Sequence, residues 1–231
     1  MKIAIIGAMT EEITALKQEM SIHKSVEIAH VEFYVGSMFN REIVLCKSGV
    51  GKVNAALTTQ ILIDRFGVTH IIFTGVAGAV DEQLDVGDIA ISTHAMQHDI
   101  DARPLGFKKG QIPMFAGSSD FQADGYLTAL AEECSTVCRG RTIVKGRIVS
   151  GDQFIADPIR VSELRETFSA VCVEMEGAAV AQVASLNAIP FVIIRSISDK
   201  ANGEASMSFS QFTALASEQS RLIVSKMIEN I

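Results

Sequence analysis

The chain has 231 residues, 48% of them apolar and 20% charged, enough for one continuous α/β core with nothing that forces a split. A net charge of −7 and a pI of 5.3 argue against a nucleic-acid surface, which needs clustered Lys and Arg, and Lys108-Lys109 is the only basic doublet. No apolar run approaches the roughly 18 residues of a membrane span, and four scattered cysteines (Cys46, Cys134, Cys138, Cys172) do not make a disulfide scaffold.

The run Ile3-Ala-Ile-Ile-Gly7 predicts a first strand over 2–7. It is too short for a signal peptide and leads straight into Glu11-Glu12, so a cytoplasmic protein is expected. A helix over 11–20 follows, with Thr10 as N-cap, acids in its first turn and Ile13, Leu16 and Met20 on one face. Strands over 31–36 and 42–47 join through Met38-Phe-Asn-Arg41 as a hairpin, which makes the sheet mixed. A helix over 52–66 and strands over 69–74 and 87–93 come next. From about 94 to 120 the chain carries Pro104, Gly106, Gly110, Pro113 and Gly117, and a long irregular segment is expected, read as an active-site wall or lid. Helices over 121–138, 158–167, 175–187 and 209–229 then alternate with strands over 143–150, 170–174 and 190–197. This alternation predicts an α/β sheet in a single domain spanning 1–231.

Ligands of α/β sheets bind beyond the carboxyl ends of the strands. Three acidic clusters fall there: Met9-Thr-Glu-Glu12, Val173-Glu-Met-Glu176 and Arg195-Ser-Ile-Ser-Asp199. Carboxylates converging without a His or Cys cluster suggest acid–base chemistry on a polar small molecule. The helix macrodipole alone would also account for Glu11 and Glu12. Glu174 and Glu176 flank Met175, so on a strand they point to opposite faces. One enters the crevice, and the other needs a partner, for which Arg195 is the candidate. Asp199 ends a very apolar strand, where a carboxyl could be an N-cap or turn residue or serve as a general acid.

Two glycine turns are not nucleotide motifs. Ser48-Gly-Val-Gly-Lys52 lacks the first glycine of a Walker loop and is followed by Val53, and Thr74-Gly-Val-Ala-Gly78 does not match G-x-G-x-x-G. Either could be strand–helix punctuation, although glycines at 75 and 78 would also let a flat ligand approach the backbone. The i, i+4 pair Cys134/Cys138 has no second ligand pair, and His94/His98, although Asp99 and Asp101 lie nearby, would need a helix that Asp99-Ile-Asp101, Arg103 and Pro104 interrupt, so no metal and no cofactor are expected.

Taken together these segments resemble the 5′-methylthioadenosine/S-adenosylhomocysteine nucleosidases of the purine nucleoside phosphorylase-like superfamily, almost end to end. The resemblance is carried by Ile5-Ile-Gly-Ala-Met9 with Glu11-Glu12, Ser48-Gly-Val-Gly-Lys-Val-Asn-Ala-Ala56, Thr74-Gly-Val-Ala-Gly78 and Val149-Ser-Gly-Asp-Gln-Phe-Ile155. It continues in Val173-Glu-Met-Glu-Gly177, Arg195-Ser-Ile-Ser-Asp-Lys-Ala-Asn202 and Met207-Ser-Phe209. It implies a three-layer phosphorylase/hydrolase-like fold, a central mixed twisted sheet flanked by helices. It also implies hydrolysis of the N-glycosidic bond between adenine and a 5′-substituted ribose. By the same resemblance Asp199, oriented by Ser198, protonates adenine N7, Glu12 activates water, and Glu176 with the Met175 backbone holds the ribose hydroxyls. Phe154 stacks on adenine, the Ile155 backbone reads its edge, and Ala77 and Gly78 line the same pocket. Met9, Val50 and Phe209 line the sugar and its apolar 5′-substituent. The resemblance further implies a homodimer in which Phe107 and Pro113 reach the neighbour's site.

The chain departs from many relatives at Arg103-Pro104-Leu105, which by the resemblance would change a wall of the 5′-pocket and add a charge near its mouth. It also departs at Val76, where many have serine. A nucleoside phosphorylase is the nearest rival, but its relatives place an arginine where this chain has Thr74. An aminodeoxyfutalosine nucleosidase would use the same residues, and a non-catalytic adenosine-binding protein would be expected to lack a carboxylate.

Overall fold

A computed structural model of the chain describes residues 1–200 and 209–231, with side chains of the last helix described from Leu215 onward. The first half runs β1 (Lys2–Gly7), α1 (Thr10–Glu19), β2 (Ser21–Ile28), β3 (Val31–Met38), β4 (Arg41–Lys47), α2 (Lys52–Phe66) and β5 (His70–Ala79). The second runs β6 (Ile89–Gln97), β7 (Asp120–Gln122), α3 (Gly125–Ser135), β8 (Ile143–Ser150), α4 (Pro158–Phe168), β9 (Ala170–Glu174), α5 (Gly177–Leu186), β10 (Phe191–Asp199) and α6 (Phe209–Asn230).

The sheet is mixed, as the hairpin predicted. β1 lies parallel between β4 and β5, and β3 and β2 extend this wing in antiparallel fashion to an open edge. On the other side β5 pairs with both β10 and β9. The pairings β10–β6, β6–β8 and β8–β9 return to it, so this half closes into a ring of five strands. The β3–β4 turn uses Phe39 and Asn40 at φ 48° and 62°, the left-handed pair that a two-residue hairpin requires.

Helices cover both faces because the strands are apolar on both. Along β1, Ala4 and Ile6 enter one core with Phe33, Phe73, Leu62 and Ala181, whereas Ile3 and Ile5 enter another with Ile13, Leu16, Leu127 and Met227. The first core lies under α2 and α5, the second under α1, α3 and α6. Alternation buried on both sides is the sequence signature of a three-layer fold.

Four features differ from expectation. β5 runs on to Ala79, so Thr74-Gly-Val-Ala-Gly78, read from sequence as a turn after a strand, is itself strand. β2, mostly exposed, was not predicted. β6 continues to Gln97 and takes the start of the segment expected to be irregular. α3 begins only at Gly125, because residues 120–122 pair with β6 and Asp124 then caps the helix, its Oδ1 accepting from the Leu127 N–H at 2.9 Å.

Candidate active site

β1 stops at Gly7 and α1 starts three residues later. Met9, not Thr10, occupies the N-cap, and Thr10 is the first helical residue. Methionine offers no oxygen for capping, so the Glu12 carboxylate takes over. Its Oε2 accepts from the N–H groups of Ala8 (2.6 Å) and Met9 (2.9 Å), and its Oε1 accepts from Val76 N–H on β5 at 3.2 Å. The helix-start role and the crevice position are therefore one arrangement. Gly75 makes it possible: a Cβ there would lie 2.5 Å from Glu12 Oε1 and 3.1 Å from Arg195 Nη1. Glu12 is 3% exposed. Burial pushes its pKa up, against the opposing pull of Arg195 and the three N–H donors.

Arg195 on β10 is fully buried, lies 4.0 Å above the Phe73 ring and donates to Glu174 Oε2 at 2.6 Å, the ion pair expected from sequence. The expectation that strand alternation would separate Glu174 from Glu176 needs correction. β9 ends at Glu174, and Glu176 is already the N-cap of α5, so pleat geometry no longer applies between them. Glu174 folds over the start of α5, accepting from Glu176 N–H (3.1 Å), Gly177 N–H (2.8 Å) and the Ser150 hydroxyl. Glu176 turns toward α2 and accepts from Gly51 N–H at 2.8 Å. Both reach the cavity wall. Burial, reinforced by repulsion from Glu174, pushes the Glu176 pKa up to about 8 despite the Gly51 N–H and Arg195.

β10 delivers Asp199 through an irregularity. Ile197 pairs with Ala77 and Asp199 with Gly78, so Ser198 is an extra residue in the ladder. Such a bulge re-aims the side chains at a strand end. Ser198 Oγ donates to Asp199 Oδ2 at 2.8 Å, and both residues are buried.

These strand ends surround a cavity of about 280 Å³. Glu12, Glu176, Ser198 and Asp199 all line it. Met9, Val50, Ala77, Gly78, Phe154, Ile155 and Met175 line it as well. Sequence reasoning missed Ala8, Gln153, Val173 and Glu174 as lining residues, although all but Val173 adjoin one that it named; Val76, noted only as a departure, also lines the cavity. Two expected residues are not in the lining. Phe107 and Pro113 sit half-buried elsewhere, and no described residue of 98–120 contributes to this cavity, so the segment is not a wall of the chain's own pocket. Arg103 is held by Asp101 in a two-pronged ion pair (2.8 and 2.5 Å), and Leu105 is exposed. Phe209 opens α6, but its side chain lies outside the described residues, as do Asn202 and Met207. His94 lies on β6 and His98 just beyond it, so extended backbone replaces the helical spacing a metal clip would need. Among the described residues no three His, Cys, Asp or Glu side chains gather as metal ligands.

Comparison with known proteins agrees with this geometry. Residues 2–229 match the phosphorylase superfamily model. The chain is 43% identical to a 5′-methylthioadenosine/S-adenosylhomocysteine nucleosidase of Bacillus subtilis, over the whole of both chains. Its fold superposes with TM-score 0.95 and 37% identity on the Neisseria meningitidis nucleosidase in complex with methylthio-immucillin-A, covering 100% of this chain and 99% of that one. A futalosine hydrolase of Helicobacter pylori is also similar, with TM-score 0.94, 35% identity, and 100% and 98% coverage. With a superfamily match along nearly its whole length and so similar a relative of equal length, the chain belongs to the phosphorylase superfamily and, within it, to the 5′-methylthioadenosine/S-adenosylhomocysteine nucleosidases.

Proposed function

We propose that this enzyme hydrolyses the N-glycosidic bond of 5′-methylthioadenosine and S-adenosylhomocysteine, and also of 5′-deoxyadenosine, releasing adenine and the 5′-substituted ribose for methionine salvage. The observation that carries this reading is the convergence of Glu12, Glu176, Ser198 and Asp199 on one cavity that also carries the Phe154 ring.

Asp199 gives its proton to adenine N7 as the bond from N9 to the anomeric carbon breaks, so the bonding pair leaves on a neutral base. The ribosyl fragment becomes an oxocarbenium-like cation, which the surrounding carboxylates stabilise. Glu12 takes a proton from water as its oxygen bonds to the anomeric carbon. A raised pKa suits that task, because a base tuned toward working pH holds the proton it removes. Glu176 accepts from the ribose hydroxyls. Burial favours the protonated form of its carboxyl, and two hydroxyl donors pull it back toward carboxylate. Phe154 and the Ile155 backbone hold the base against Ala77 and Gly78, while Met9 and Val50 meet the 5′-substituent.

No Lys or Arg side chain is among the described residues lining the cavity, which supports water over phosphate as the nucleophile. The test is adenine release from methylthioadenosine and S-adenosylhomocysteine with and without phosphate. Formation of a ribose 1-phosphate product would replace hydrolysis by phosphorolysis. Aminodeoxyfutalosine is the second substrate to measure, because of the similarity to the futalosine hydrolase. A higher kcat/KM on it than on methylthioadenosine would reassign the physiological substrate.

A homodimer working in the cytoplasm fits the same reading. Each protomer's Phe107 and Pro113 would reach its neighbour's cavity, which accounts for neither lining its own. Val53, Leu57 and Met114 expose apolar surface suited to such an interface. Light scattering that gives a monomer at assay concentration would remove this part of the proposal.

A further inference from the structure

The base-stacking loop and the start of α2 are tied together by three residues that the reaction does not use. Gly51, the N-cap of α2, has φ +97° and no side chain with which to cap the helix. Asp152 supplies the missing acceptor from another part of the chain, its Oδ1 taking the Lys52 N–H at 2.8 Å. The Asp152 N–H in turn donates to Asp99 Oδ2 at 3.0 Å, and Asp99 Oδ1 meets Lys52 Nζ at 2.6 Å. The hydrogen bonds therefore close a ring through Lys52, Asp152 and Asp99. Lys52 Nζ also reaches Gln97 Oε1 at 2.9 Å, and Gln97 is bonded to Gln182 of α5 at 2.6 Å.

None of the three ring residues lines the cavity, yet the neighbours on either side do. Val50 precedes the Gly51 N–H that holds Glu176, and Gln153, Phe154 and Ile155 follow Asp152 directly. Phe154 is 63% exposed, so packing does little to orient its ring. The backbone must do so, anchored upstream by the hydrogen bonds of Asp152 and downstream by the burial of Ile155. Glycine permits the close approach on both sides. A Cβ at Gly51 would lie 3.2 Å from Asp152 Oδ1, and one at Gly151 would lie 2.5 Å from His98 Nε2.

We infer that Lys52, Asp99 and Asp152 are positioning residues, a latch that sets the base-stacking loop and the ribose-side turn in register. The effect on turnover rests on the nucleosidase reading; the latch itself is read independently. In Asp152→Ala and Lys52→Met, KM for methylthioadenosine and the dissociation constant of free adenine both rise about tenfold or more, with a smaller fall in kcat, because misplacement of a binding group weakens every bound state. Asp152→Asn, which still offers an oxygen to the Lys52 N–H, recovers to within about twofold of wild type. The double variant Lys52→Met with Asp99→Ala is no worse than Lys52→Met alone, since either change opens the ring. Amide exchange over 48–54 and 150–156 accelerates in Asp152→Ala and not in Asp152→Asn, at a melting temperature that confirms folded protein. The latch is overturned by wild-type KM and adenine affinity in Asp152→Ala, by a loss confined to kcat, by failure of Asp152→Asn to recover, or by unchanged exchange in both segments. Wild-type protein inert toward methylthioadenosine would instead defeat the nucleosidase reading, and the exchange experiment would still decide the latch.

Discussion

At the β2–β3 edge of the sheet, Glu27 stands directly opposite Glu32, and Glu32 accepts from Ser25 in open solvent. At the carboxyl ends of β5, β9 and β10, Glu12, Glu174, Glu176, Arg195 and Asp199 are each less than a tenth exposed. Like charges are tolerated at the edge because water screens them, and their pairings contribute little. Around the cavity every charge is desolvated, so each needs several fixed partners. Glu12 has three N–H donors and the field of Arg195; Glu174 has a guanidinium, two N–H groups and a hydroxyl. Burying charge in this way shifts pKa values, which acid–base chemistry can use and an exposed edge cannot supply.

The comparison breaks most visibly at the groups proposed to react. Asp199→Asn is expected to lower kcat by about 10²- to 10⁴-fold while methylthioadenosine still binds, measured by adenine release and calorimetry. A fully active variant would take the proton donor's role away from Asp199. Glu12→Gln should cost a similar factor, because an amide cannot take a proton from water. The crowding around Gly75 provides a steric test. Gly75→Ala drives a methyl into Glu12 and Arg195, and should destabilise by about 1–3 kcal/mol and lower kcat/KM by about a hundredfold. Wild-type behaviour would mean that the carboxylate has room the structure denies.

Glu176 gives a test in pH. Above its ordinary 4.5 the unfolded chain has released this proton, whereas the folded protein retains it up to about 8. The folded state therefore binds more protons in that window, and stability falls as pH climbs through it. Glu176→Gln should flatten this decline and melt higher than wild type at pH 8, while losing most substrate affinity. Parallel melting curves across pH would refute the burial argument. The smallest effect belongs to the edge: Glu32→Ala should leave kcat/KM unchanged and melting scarcely moved, and a large change in either would show that the edge charges are not merely solvated.

Much of the site was legible before the structure because strand ends and acidic residues coincide in the chain. The edge was less legible. β2, Ser21–Ile28, leans on β3 alone and is mostly exposed; only Val26 and Ile28 turn partly inward, and an irregularity between Ile22 and Lys24 breaks the alternation that would announce it. The position of Glu174 escaped for a related reason. Period-two reasoning holds only while a strand lasts, and β9 ends at that residue.

The amino-acid order by itself determined an α/β sheet, through strand patterns alternating with helical ones, and the three clusters of acids where strands stop. Tertiary structure decided what those acids became. The bulge that presents Asp199, the glycine gap that admits Glu12 beside Arg195, and the ring through Lys52, Asp99 and Asp152 all join residues distant in the chain. Local propensity is blind to such pairings, because their energy exists only once water has been excluded and partners far apart in sequence have been brought into contact.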